Sequence, residues 1–107
     1  METLNTNTSP ILSNQIKGEN KMKVRNMTGR TGREVANQFI IHGNNGEVYF
    51  QSYRTIIVKQ HNGETYLDSN WDYSVTTGKY RNQFLGENKA ETQKKIDSGE
   101  YKLADLN

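Results

Sequence analysis

Two short runs, Gly43-Asn44-Asn45-Gly46 and Asn62-Gly63, interrupt a segment crowded with β-branched and aromatic residues. Gly and Asn tolerate positive φ, so the stretches "NQFIIHGNNGEVYFQSY" and "RTIIVKQHNGETYLD" each read as strand, turn and strand. The two hairpins adjoin at Ser52-Tyr53-Arg54, and the four runs make an antiparallel meander with well-defined register. Phe39, Ile41, Val48, Phe50, Ile56, Val58 and Leu67 are the candidates for its inner face. The doublets Ile40-Ile41 and Ile56-Ile57 leave the facing open.

A sheet with one apolar face needs a cover, and the last third of the chain carries helix signals. Thr76 or Thr77 serves as a cap, Tyr80 and Phe84 stand four apart, and Gly86 falls at a stop. Asn88 with Glu91 forms a capping-box variant, Glu91 precedes Lys95 by four, and Gly99 ends the segment. This second helix has only Ala90 and Ile96 as apolar residues, which places it on the surface. "EYKLADL" then returns as an edge strand through Tyr101 and Leu103. The sum is an α+β protein: an antiparallel meander of four to five strands covered by two short C-terminal helices.

A chain of 107 residues allows one domain, and its mean hydropathy of −0.97 makes that domain polar. The apolar residues are unevenly placed. All ten aromatics lie at or after Phe39, whereas Met1 to Glu34 holds eight scattered apolar residues, so the core comes from residues 35–107. Residues 1–20, rich in Asn, Thr and Ser, are expected to be a flexible tail. Residues 21–34 read as a basic arm or an edge strand and loop, with Met22 and Val24 on one side of "KMKVRNM" and paired glycines in "TGRTGRE". Thr31 with Glu34 is the alternative there, a capping box for one helical turn.

Charge divides at the same place, with a net +3 over residues 1–34 and −1 over the rest. Lys21, Lys23, Arg25, Arg30 and Arg33 are candidate phosphate contacts; the plainer reading is a solvated arm. The absence of cysteine excludes disulfides and thiolate metal sites. No apolar run nears the roughly 20 residues that span a bilayer, and the N-terminus has no secretory pattern, so a cytoplasmic location without membrane contact is expected.

Catalytic and metal motifs are weak. The only imidazoles, His42 and His61, each sit beside a hairpin turn, and Asp68 and Asp72 flank Trp71 at a spacing that turn formation explains as well as acid–base chemistry or cation binding does. Gly78-Lys79 lacks the remaining residues of a phosphate loop: Tyr73 stands where its first glycine belongs and Tyr80 where its Ser or Thr belongs. No catalytic residue, metal or cofactor is expected.

The stretch "LDSNWDYSVTTGKYRNQFLGEN" mixes the only tryptophan and three further aromatics with Lys79 and Arg81. Such chemistry serves protein interfaces and single-strand stacking platforms alike, or Trp71 and Phe84 simply close the sheet. With the neighbouring turn, it nominates Tyr53, Arg54, Tyr73, Lys79 and Arg81 as a partner-binding surface.

At "NQFII…YFQSYRTIIVK", "YLDSNWDYSVTTGKYRNQFLGE" and "KKIDSGEYKLADLN", over residues 33–107, the chain resembles small proteins carried by bacteriophages and mobile elements of low-GC bacteria. The resemblance implies a phage accessory protein, from the pool that supplies anti-CRISPR and other anti-defence proteins, and carries over no catalytic residues. The expected function is therefore a non-enzymatic binder that inhibits a host defence protein such as a CRISPR-Cas effector. The alternative is a nucleic-acid-binding accessory protein that uses the basic arm and the aromatic surface. An exposed edge strand leaves both a monomer and a homodimer open.

Overall fold

The computed structural model describes residues 22–107; the tail called over residues 1–20, and Lys21, lie outside them. Both hairpins form. Strands β1 (Lys23–Thr28), β2 (Glu34–His42), β3 (Val48–Ser52), β4 (Thr55–His61) and β5 (Glu64–Asp68) run antiparallel in sequence order. Helices α1 (Val75–Leu85) and α2 (Lys89–Ser98) follow, and β6 (Tyr101–Ala104) completes one sheet. The sheet has six strands where four to five were expected, because β1 and β6 both join it at its edges. β6 runs parallel to β5, as a strand must when a helical crossover returns the chain to the same end.

The glycine-rich "TGRTGRE" forms the β1–β2 turn, closed by Gly29 N to Arg33 O (2.8 Å) and Gly32 N to Gly29 O (3.0 Å), and Glu34 opens β2 with no helical turn. Val24 is exposed at the edge; the residue that β1 buries is Met27.

The doublet at Ile56-Ile57 is resolved by a bulge. Phe50 pairs with Val58 and Gln51 with Ile56, which leaves Ile57 as the extra residue of β4. A bulge breaks the two-residue alternation, so Ile57 and Val58 are both fully buried although adjacent in sequence. They join Met27, Phe50, Leu67, Trp71 and Tyr101 in the core, with Ile40, Tyr80, Phe84, Leu85 and Ile96 packed against it. Of the expected inner-face residues, Phe50, Val58 and Leu67 are in the core. Residues paired across a sheet share a face, which sets Phe39, Ile41 and Ile56 on the opposite one with Tyr49 and Gln51.

The helices close the core face. Phe84 stacks on Phe50 with ring centroids 5.7 Å apart, and Thr77 Oγ1 lies 2.9 Å from Ser52 Oγ. Gln83 Nε2 donates to Thr28 O at 2.8 Å, so the later turns of α1 reach the far edge of the sheet. The N-cap of α1 is Ser74, whose Oγ accepts from Thr77 N, and not Thr76 or Thr77. Thr77 is instead buried against Ser52. Gly86, Asn88, Glu91 and Gly99 take their expected capping places.

The other face carries a row that crosses all six strands: Val24, Ile41, Tyr49, Lys59, Tyr66 and Lys102, each the register partner of the next. Beside it, the C-terminal residues fold back. Asn107 accepts from Ile56 N at 2.8 Å and donates to Ile56 O at 3.0 Å, satisfying backbone groups next to the bulge.

Candidate binding surface and cleft

The Ser52–Thr77 contact brings the Tyr53-Arg54 turn beside the first turn of α1. Residues 69–74 end at the same place, so one end of the molecule gathers elements that are far apart in sequence. Three large apolar side chains stand exposed there: Tyr53 at 50%, Tyr73 at 52% and Val75 at 91%. Val75 is left in solvent because the first residue of a helix has no turn before it to lie on.

Tyr53 also adopts φ +56°, in the left-handed region that costs a bulky L-residue roughly 1–2 kcal/mol. Its N–H reaches Asn37 O at 2.7 Å, and Asn37 itself sits at φ +66° in the irregular part of β2. A two-residue hairpin turn calls for a positive φ, and Tyr53 adopts it without the freedom of Gly or Asn. Tyr53→Gly is accordingly expected to raise the unfolding free energy by up to about 1 kcal/mol in urea titrations. A loss of stability would mean that contacts of the Tyr53 ring outweigh its backbone strain.

A cleft of about 640 Å³ opens between the 72–74 segment, the inner turns of α1 and the start of α2, with Tyr73, Lys79 and Lys89 among its lining residues. Its floor is Arg81. This side chain was expected as a surface anchor, and the structure corrects that: it is 1% exposed. Arg81 Nη1 donates to Trp71 O at 2.8 Å and to Asp72 Oδ1 at 3.3 Å, Nη2 donates to Asn82 Oδ1 at 2.7 Å, and the guanidinium carbon lies 4.9 Å from the Trp71 ring centroid. An ion so placed is held by planar, directional donors and by the face of an aromatic ring. Trp71, 9% exposed, belongs to the core, which answers the question its neighbourhood raised.

Asp72 bridges the floor and the rim, since its second oxygen meets Lys89 Nζ at 2.7 Å. Lys89, with Arg81, holds the Asp72 carboxyl below the usual carboxylate range against a smaller opposing effect of burial. Asp68 does different work: it is buried and accepts from the backbone N–H groups of Asn70 (3.0 Å) and Leu106 (2.9 Å), tying the C-terminus to the end of β5. His61 Nε2 lies 3.2 Å from Asn45 O at a hairpin end. Among the described residues, no three His, Cys, Asp or Glu side chains group as a metal site would require.

Four of the five nominated residues, Tyr53, Arg54, Tyr73 and Lys79, thus lie at one end of the fold. Val75, Asn82 and Lys89 were missed. The Asp-Tyr-Ser run just before the helix carried a signal for the Ser74 cap and hence for Val75 at the exposed first position. Nothing in the sequence pairs Asp72 with Lys89, which sits across the α1–α2 connection.

The basic residues of β1 lie on a face apart from the aromatic row. Alternation along β1 places Lys23 and Arg25 on the side of Met27, away from the aromatic row through Tyr49 and Tyr66. Arg30 and Arg33 are in the β1–β2 turn, at the same end of the sheet as the β3–β4 turn but two strands over, beside Gln83 of α1. The lysines of the aromatic row are themselves engaged: Lys102 Nζ meets Glu64 Oε1 at 3.1 Å, and Lys59 Nζ lies 5.9 Å from the Tyr66 centroid. Among the described residues, no helix is long and apolar enough to cross a membrane.

Fold and surface together define a small α+β protein, a six-stranded and mostly antiparallel sheet with two helices on one face and a cleft at the start of the first. The chain belongs to DUF8033, a family of unknown function whose model matches residues 22–100, from just before β1 to the end of the α2–β6 connection. No curated protein and no solved structure matches it.

Proposed function

We propose that this protein is a non-enzymatic binding protein that docks a partner protein on the end built from Tyr53, Arg54, Tyr73, Val75 and Lys79. The observation that carries the reading is the exposure of three large apolar side chains at one end of the molecule, one of them held in a strained backbone conformation, whereas the exposed Val24 and Leu103 stand singly on the two edge strands. Aromatic and Arg anchors of this type dominate interface energetics. Narrowing the partner to a host defence protein such as a CRISPR-Cas effector, met in the cytoplasm of a bacterial host, rests on the sequence motifs alone. The nucleic-acid alternative draws less support, because the exposed groups at this end are mainly apolar and Lys23 and Arg25 lie along β1, on a different face from Tyr49 and Tyr66.

The test is retention of a partner from host lysate by the full chain and by the double variant Tyr73→Ser/Val75→Asp. Both positions are exposed, and an acid at the first position of a helix favours its dipole, so the variant keeps its melting temperature. The expected result is a nuclease-resistant protein partner retained by the parent chain and at least about tenfold depleted on the variant, a loss of about 1.4 kcal/mol or more. Equal retention by both would overturn the proposal.

A further inference from the structure

We infer that the cleft above Arg81 is a receptor for a carboxylate side chain on an acidic segment of the protein partner. The inference rests on the docking surface proposed above and specifies its partner's chemistry.

Three cations, Lys79, Arg81 and Lys89, line this cleft with a single acid, Asp72, and Lys79 Nζ also lies 5.3 Å from the Tyr80 ring centroid. The bound state of a carboxylate there is already drawn by Asp72 itself, with one oxygen toward the guanidinium and the other on Lys89 Nζ. Asp72 is an imperfect occupant. Its contact with Arg81 is long at 3.3 Å, whereas the same Nη1 makes a shorter bond to Trp71 O at 2.8 Å. Arg81 Nε, buried with the rest of the side chain, has no hydrogen-bond partner in the protein. A charged donor left unmet in a buried position is costly, and it belongs to a side chain that lines the cleft.

Gly78 points to the same use. It sits inside α1 and lines the cleft, where glycine costs a helix roughly 1 kcal/mol relative to alanine. A Cβ there would stand 3.6 Å from Arg81 Nη1, an ordinary contact, so packing does not demand glycine. Its effect is to keep the approach to the guanidinium open.

The rim decides between classes of anion. Tyr73 and Val75 border the cations with apolar surface, which a peptide can cover with its own apolar side chains and a phosphate backbone cannot. A short acidic peptide with apolar residues between its carboxylates matches both features.

The experiment uses the full chain, isotope-labelled, and follows backbone amide shifts during titration with acetyl-Glu-Phe-Glu-Leu-amide, with its Gln-Phe-Gln-Leu counterpart, and with a ten-residue oligothymidylate. The acidic peptide is expected to move the amides of Gly78, Lys79, Asn82 and Lys89, and the neutral peptide to bind at least about fivefold more weakly. Lys79→Gln/Lys89→Gln should weaken the acidic peptide about tenfold with little change in melting temperature, since its exposed ion pair is worth little. Gly78→Ala should melt higher yet bind the peptide less tightly, a combination that a purely structural glycine would not produce. Equal binding of the neutral peptide, shifts confined to other surfaces, or preferential occupation of the cleft by the oligonucleotide would each overturn the inference. If the lysine variant retains the lysate partner at the parental level while Tyr73→Ser/Val75→Asp loses it, the docking surface stands and the carboxylate receptor falls. If neither variant loses it, the docking surface falls as well.

Discussion

Arg81→Ala is expected to destabilise the protein by about 3–5 kcal/mol, the range for truncating a large, fully buried side chain and leaving its hydrogen-bond partners unmet. Truncation leaves Trp71 O, Asp72 and Asn82 Oδ1 without their shared donor, removes the cation over the indole ring, and opens a void beneath α1. For a domain of this size each kcal/mol shifts the melting temperature by roughly 4–8 °C, so a fall of at least about 12 °C should be seen by calorimetry. Arg81→Lys keeps the charge but not the planar fork, and should recover only part of the loss. A variant as stable as the parent chain would show that the Arg81 network is incidental. The size of the effect also disqualifies Arg81 as a test of partner binding, for loss of fold and loss of contact would look alike. Arg54, exposed in the β3–β4 turn, has no such ambiguity.

Glu87→Gln is the second large effect, at about 2–3 kcal/mol, the worth of one to two charge-assisted hydrogen bonds. Glu87 lies in the α1–α2 connection and gathers Thr92 Oγ1 at 2.6 Å, Lys95 Nζ at 2.7 Å and Tyr101 Oη at 2.9 Å, binding that connection to α2 and β6. Burial alone would raise its carboxyl; the donors from Lys95, Thr92 and Tyr101 outweigh burial and hold it below the ordinary 4.5. A carboxylate with a lowered folded pKa contributes stability in full above its unfolded pKa and loses it as pH falls through the folded value. The gap between parent and variant in urea unfolding should therefore be wide at pH 7 and shrink below about pH 4. A gap that stays constant with pH would remove the charge from the explanation. Asp68 adds to the same acid sensitivity: burial opposes its ionisation, but the amides of Leu106 and Asn70 prevail. At the alkaline end the sign reverses for Lys95, which its bond to Glu87 holds above its ordinary value. Its contribution is complete below pH 10.5 and fades as pH rises through the folded pKa.

Much of this architecture is legible in local sequence, for identifiable reasons. Asn62 and Gly63 both adopt positive φ, and Gly46 does so in the first hairpin, which few other residue types tolerate. Gly86 and Gly99 end their helices in the left-handed conformation, and Asn88 with Glu91 closes a capping box. Such signals are short-range, and each is complete within a few residues. The bulge at Ile57 had no comparable signal. Whether Ile56 or Ile57 faces the core depends on how β4 meets β3, which neither strand specifies by itself.

The binding surface was only half legible. Aromatic and basic residues near Tyr53 and Tyr73 are visible as composition, yet composition does not say which of them face solvent. Arg81 and Lys79 are two residues apart on α1, and the helix turns one of them into the core and the other outward. The Asp72–Lys89 bridge joins residues separated by a whole helix, so it exists only once α1 and α2 have packed.

The Asn-Gly turns, the glycine helix stops and the class of fold follow from the chain alone, because backbone conformational preference and hydrogen-bond capping act between near neighbours. Tertiary structure alone decided that six strands share one sheet, that Arg81 lies beneath Trp71, and that cations from two helices meet over one acid. Those outcomes depend on burial, and burial belongs to the assembled whole.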